Sequence, residues 1–239
     1  MNPFEYIIVP NYKEMSSIAS EKIISTMKLY PNALYCFAGG DTPVGTLELL
    51  VSAHNEKRID LKKAYYIGLD EWVGLDESDE GSCIDYMKRN LFEPANIPED
   101  HIHFFNAKDS NLDEECKLAD AFIHSHGGIT LSLLGVGVNG HLGFNEPGSN
   151  LESLVHIVEL SDITKEVAVK YFSKEANVSQ GLTVGLKQLL NSKYLILEAN
   201  GKTKKAAIQK LMEDKVTLNW PVTTLRLHKN CTVIVNDVG

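Results

Sequence analysis

Two kinds of apolar segment alternate along this chain, and their alternation predicts its architecture. Short runs that are apolar almost throughout fall at 6–9, 33–38, 64–69, 130–135, 194–199 and 231–236. Runs of that length and uniformity predict strands buried on both faces. Between them lie longer stretches whose apolar residues return every three or four positions. In 13–29, Met15, Ile18, Ala19, Ile23, Ile24 and Met27 share one helical face. The stretches 43–54, 82–92, 112–125 and 202–212 follow the same pattern. Strand and helix in turn predict an α/β fold, a Rossmann-like doubly wound open sheet, mostly parallel, with helices on both faces. Six or seven strands in 239 residues fit an open sheet better than a closed eight-stranded barrel. No repeat, low-complexity segment or linker divides the chain, so 1–239 is expected to form a single domain.

Composition narrows the classes of function. The hydrophobic fraction of 44% supports a sizeable core. The formal charge is −9, and the arginines are Arg58, Arg89 and Arg226 alone. An acidic chain without a basic cluster is a poor partner for nucleic acid or an anionic membrane. No apolar stretch is long enough to span a bilayer, and "MNPFEYIIVPNYKE" lacks the pattern of a secretory leader. Cys36, Cys83, Cys116 and Cys231 are widely spaced and form no C-x-x-C pair. They predict reduced thiols in a cytoplasmic protein, with neither a disulfide frame nor a zinc site.

In an open α/β sheet, ligands bind beyond the carboxyl ends of the strands, so the turn after each apolar run is the place to seek chemistry. After 33–38 comes "AGGDTPVG". Two glycines and a helix start make a cradle for an anion, because free amides and the helix dipole both favour negative charge there. The same residues also suit an ordinary turn capped by Asp41 or Thr42. After 64–69 stand Asp70 and Glu71, adjacent carboxylates that packing does not explain. A carboxylate there either faces the crevice as a base or caps a neighbouring segment. The acidic stretch "DESDEGSC" beyond them is read as a solvated loop without chemistry.

After 130–134 comes "GVGVNGHLGFNEPGS". It holds His141 and Glu146 five positions apart in a glycine-rich loop, the relation of a carboxylate that orients an imidazole and raises its basicity. After 194–199 comes "NGKTKKAAIQK", which places Lys202, Lys204 and Lys205 at a helix start. Cations there oppose the helix dipole, and a bound anion would offset that cost. Together the four turns describe a site for a phosphorylated small molecule undergoing proton transfer beside a carbonyl. No nucleotide or redox cofactor is expected, and the serine-nucleophile motif G-x-S-x-G is absent.

"LDEWVGL", "GVGVNGHLGFNEPGS", "GGDTP", "LTVGLKQLLNSKYLIL" and "NGKTKKAA" together resemble the glucosamine-6-phosphate deaminase (isomerase) family, in that family's order and over nearly the whole chain. The resemblance implies a Rossmann-like fold and no cofactor. It also implies a reaction that opens the ring of an amino-sugar 6-phosphate, moves a proton between C2 and C1, and releases ammonia to leave a ketose 6-phosphate. By resemblance Asp70 is the aspartate that moves the C2 proton, His141 handles the ring oxygen, and Glu146 is the partner of His141. Gly39, Gly40 and Thr42 match the phosphate turn, and Lys204 a phosphate-contacting lysine. Asn139 stands where some members carry an acid, so Glu146 is expected to be the carboxylate that matters. Asp41 replaces a small residue and is expected to cap the following helix. Lys170 falls where many members place an arginine that closes over the phosphate, and its lysine keeps charge without bidentate geometry. His156 and Val158 replace basic residues of allosterically activated members, which argues against activation of that type. "DEWV" and "EGSC" lean towards galactosamine-6-phosphate relatives.

Two other functions compete. A 6-phosphogluconolactonase-type esterase would use the histidine to activate water and would leave Asp70 idle. A sugar-phosphate-binding regulator would need an additional module for which the chain has no room. The expected partner is an amino-sugar phosphate, and the expected assembly is a monomer or small homo-oligomer.

Overall fold

The computed structural model describes residues 3–168, 172 and 178–239. Its frame is a seven-stranded sheet of β1 (Glu5–Val9), β2 (Leu34–Phe37), β3 (Tyr65–Gly68), β5 (Ile102–His103), β6 (Ile129–Leu134), β9 (Tyr194–Asn200) and β10 (Cys231–Asn236). These strands lie in the order β1-β10-β9-β6-β2-β3-β5, parallel throughout. Side chains alternate across the sheet, and both directions end in core. In β2, Tyr35 and Phe37 enter one apolar layer while Leu34 and Cys36 enter the other. All four positions are buried, which is why the sequence reads as an unbroken apolar run.

Helices α1 (Tyr12–Leu29) and α2 (Val44–Asn55) cover one face, and α4 (Leu112–Ser125), α6 (Leu186–Leu190) and α7 (Lys205–Met212) cover the other. Met15 and Ile23 of α1 and Leu47 and Leu50 of α2 are buried against the first face. Each such side chain contributes about 1.5–3 kcal/mol of burial free energy. Local sequence fixes the helix starts. Asn11 accepts the Glu14 amide at 2.9 Å, and Asn111 accepts the Glu114 amide at 3.2 Å. The doubly wound parallel sheet is the expected one.

Two local features differ from the sequence reading. The apolar run at 64–69 is not one strand: β3 ends at Gly68, and the chain leaves the large sheet at Leu69. It then pairs as β4 (Asp70–Trp72) in a second, antiparallel sheet with β8 (Gln180–Thr183) and β7 (His156–Glu159), in the order β4-β8-β7. The Val184 amide donates to the Leu69 carbonyl at 2.8 Å and anchors that step. The helix expected over 82–92 is α3 (Cys83–Met87) continued by one π-helical turn, Lys88–Phe92. The small sheet carries its own apolar cluster, in which Trp72 and Phe144 rings meet at 4.4 Å. Helix α5 (Asp162–Ala168) joins the same cluster through Ala168.

Candidate active site

The turns after β2, β3, β6 and β9 all open at the carboxyl edge of the parallel sheet and line one cleft. The strand order turns back beside β2, because β3 lies on one side of it and β6 on the other. That is where open α/β sheets place ligands.

Asp70 lines this cleft, held by the step between the two sheets and by pairing with Thr183. Burial pushes its carboxyl up to about 6, against the opposing effects of His141 and of a hydrogen bond from the Cys83 thiol. A carboxylate with that affinity for protons accepts one readily near neutrality and gives it back. Glu71 behaves differently. It is fully buried and accepts the amides of Trp72 at 2.8 Å, Cys83 at 3.0 Å and Ile84 at 2.8 Å. Of the two adjacent carboxylates, one faces the cleft and the other clamps the start of α3. Burial raises Glu71 to about 7 in spite of those amides.

The loop after β6 presents His141. The position of its ring requires glycine at 137, where a Cβ would stand 2.4 Å from imidazole Cδ2 and Nε2. A turn from the Gly140 amide to the Gly137 carbonyl, with Gly140 at φ +84°, sets the approach. Buried Asn145 ties the loop to the small sheet by donating to the carbonyls of Leu142 and Val184, both at 2.8 Å.

Glu146 lies behind the histidine, with Oε1 3.6 Å from His141 Nδ1. Thr164 fills the gap: its hydroxyl donates to Glu146 and lies 3.2 Å from His141 Nδ1. Asn139 donates to Glu146 Oε2 at 2.7 Å and accepts the His141 amide at 3.2 Å. Burial pushes Glu146 up, but the neighbouring His141 imidazole and the hydrogen bonds from Thr164 and Asn139 outweigh it and hold the carboxyl at about 2. Because the threonine proton points to Glu146, the imidazole donates Nδ1–H to threonine and keeps Nε2 as its acceptor.

Gly39, Gly40 and Thr42 line the cleft below the start of α2, with Gly40 at φ +98°. Asp41 does not cap this helix. Pro43 occupies the cap position with no side-chain hydrogen bond, and the Asp41 carboxylate accepts the Tyr86 hydroxyl at 3.0 Å. At the start of α2 the Tyr12 hydroxyl accepts the Gly45 amide at 2.9 Å. Lys204 lines the cleft, while Lys205 lies beside Gly239 at the chain's end. Lys170 lies outside the described residues. Among the described residues no cluster of acidic, histidine or cysteine side chains forms a metal site.

Sequence reasoning missed Thr164 and Ser161, whose amide reaches Glu146 at 3.3 Å. The signal was a capping pattern, "SDIT", in which Ser161 accepts the Thr164 amide. It also missed Cys83, at the end of the "DESDEGSC" stretch read as a loop without chemistry, and Tyr86, in the helix expected over 82–92; both line the cleft.

Residues 13–234 match the model of the glucosamine-6-phosphate isomerases/6-phosphogluconolactonase family. The chain belongs to that family. Within it, the chain is 37% identical over 231 residues to a glucosamine-6-phosphate deaminase of Clostridium botulinum, covering 96% of this chain and 95% of the relative. A glucosamine-6-phosphate deaminase of Lysinibacillus sphaericus is 38% identical, with 96% and 98% covered. A solved monomeric glucosamine-6-phosphate deaminase superposes with a TM-score of 0.94 at 31% identity, over 98% of both chains. A 6-phosphogluconolactonase from Thermotoga maritima superposes at 0.79 with 20% identity over 98% of this chain and 99% of that one, a likeness of fold. The family spans two chemistries, deamination and lactone hydrolysis, and the site must decide between them.

Proposed function

We propose that the cleft takes an amino-sugar 6-phosphate and, with one water, converts it to a ketose 6-phosphate and ammonia. The observation that supports this most strongly is Asp70. A desolvated carboxyl poised at about 6 in the same cleft as His141 has work to do in moving a proton between carbons. Lactone hydrolysis needs only an activated water and gives Asp70 no task.

The phosphate sits at the turn of Gly39, Gly40 and Thr42, where the start of α2 supplies amides and dipole, with Lys204 adding charge. That anchor sets the sugar's other end near His141 and Asp70. His141 Nε2 takes the C1 hydroxyl proton and returns it to the ring oxygen as the C1–O bond to the ring breaks. Glu146, through Thr164, stabilises the imidazolium between those steps. Asp70 then removes the C2 proton while a proton passes from the C2 ammonium group to O1, leaving an enolamine, and Asp70 delivers its proton to C1. The resulting C2 imine adds water and expels ammonia. Asp70 ends in the state in which it began.

The chain works as one domain in the cytoplasm, as a monomer or small homo-oligomer. The solved relative described as monomeric supports the smaller assembly. The test is ammonia release by purified protein from glucosamine-6-phosphate and from galactosamine-6-phosphate. Release from either supports the deaminase, and the ratio of rates names the epimer. Silence on both with rapid hydrolysis of 6-phosphogluconolactone would assign the esterase instead.

A further inference from the structure

One buried acid has no part in that chemistry. Glu198 interrupts the apolar strand β9 and is 1% exposed, flanked by Ile234 on β10. Its Oε1 accepts the Thr46 hydroxyl at 2.6 Å, and its Oε2 is buried without a hydrogen-bond partner. Among the described residues no cation pairs with it. A lone buried carboxylate is costly, and a site that keeps one needs a reason.

Its surroundings supply one. Thr46 lies in the first turn of α2, the helix whose start forms the proposed phosphate cradle. Beside it, the Tyr12 hydroxyl donates to the Thr42 carbonyl at 2.9 Å and accepts the Gly45 amide at the same distance. Gly45 packs on buried Ser16, where a Cβ would stand 2.7 Å from the serine hydroxyl. The cradle is thus backed by a polar cluster from α1, α2 and β9, with the buried Glu198 as its acid.

We propose that Glu198 is a positioning residue of the phosphate cradle, holding the first turn of α2 through Thr46, and that anion binding favours its protonated form. This rests on the reading of that turn as the phosphate site. An ionised Glu198 would place a negative charge behind the helix start that must receive a dianion. A neutral Glu198 holds Thr46 without that repulsion. The titratable group facing it from α1 is Tyr12, on which Glu48 of α2 also acts. Thr46 is uncharged, and the β10 residue paired with Glu198 is Ile234. Burial raises Glu198 to about 7, so the two forms exchange near neutrality. By linkage, an anion that tightens its hold on a proton tenfold must itself bind tenfold more weakly once the proton is gone.

Sulfate is the probe, because it stays a dianion across the range of interest. Its inhibition constant against the amino-sugar phosphate is measured from about pH 5.5 to about 8.5 for wild type, E198Q and K204M. The ratio of wild type to E198Q is expected to rise about tenfold as pH rises. E198Q keeps an acceptor for Thr46 and cannot ionise, so a ratio that does not change with pH overturns the inference. K204M separates this from the parent reading. It should weaken sulfate at every pH, and a failure of sulfate to compete, or its indifference to K204M, would instead remove the cradle itself. If E198Q does not fold, T46V gives the second reading. Loss of the hydroxyl that favours the charged form should move the wild-type inflection to higher pH, and an unmoved inflection overturns the proposal.

Discussion

His141 Nδ1 and Glu146 Oε1 stand 3.6 Å apart, too far for a direct hydrogen bond, and the Thr164 hydroxyl bridges them. The imidazole and the carboxylate, both in the loop after β6, therefore act through an intermediary from helix α5. A three-membered chain fixes the tautomer and holds charge that develops on the ring.

T164V removes the bridge while keeping the volume. Its kcat is expected to fall about tenfold to a hundredfold with KM near the wild-type value, and T164S should recover most of the loss. E146Q should fall further, since it also removes the charge. Steady-state kinetics on the three variants check the order. Equal activity of T164V and wild type would make the bridge incidental.

The acid limb of the rate profile should belong to Asp70. The base works ionised, so kcat/KM is expected to decline about tenfold per pH unit as pH falls below about 6. Glu146, held at about 2, stays charged throughout that range and contributes no limb. The profile on the amino-sugar phosphate, with substrate ionisation subtracted, measures this directly.

Glu71 governs stability rather than turnover. E71A orphans three buried amides and should cost about 3 kcal/mol, a fall of roughly 6–12 °C in Tm. Because burial raises Glu71 to about 7, its favourable contribution is complete below its unfolded value and shrinks as pH rises through about 7. The gap in Tm between wild type and E71A should accordingly be wider at pH 5 than at pH 8.

G137A tests the seat of the histidine. A methyl there meets the imidazole ring itself, so the ring must move while the strand beneath it stays. Activity is expected to fall about a hundredfold, the scale of a misplacement near 1 Å, with only a small change in Tm.

Much of this was legible in the sequence, for identifiable reasons. Five of the strands showed because both their faces are largely buried. The edge strand β1 showed by its apolar residues alone, although Ile8 is exposed there rather than buried as expected. His141, Glu146 and Asp70 showed because they follow those strands. Strands β7 and β8 did not show. Their residues, "HIVE" and "QGLT", are short and partly polar, and only pairing across the small sheet makes them strands. Thr164 stayed hidden because it reaches Glu146 from 18 residues away. Asp41 misled because a carboxylate before a helix reads as a cap, and Tyr86, 45 residues on, takes it instead. Glu198 was passed over as one polar letter in an apolar run.

The central claim is that Asp70 moves the proton on carbon, and D70N tests it most directly. Ammonia release under saturating amino-sugar phosphate should fall at least about a thousandfold, while calorimetric binding of the ketose 6-phosphate product stays within about threefold of wild type. Ammonia release by D70N at the wild-type rate would contradict the account.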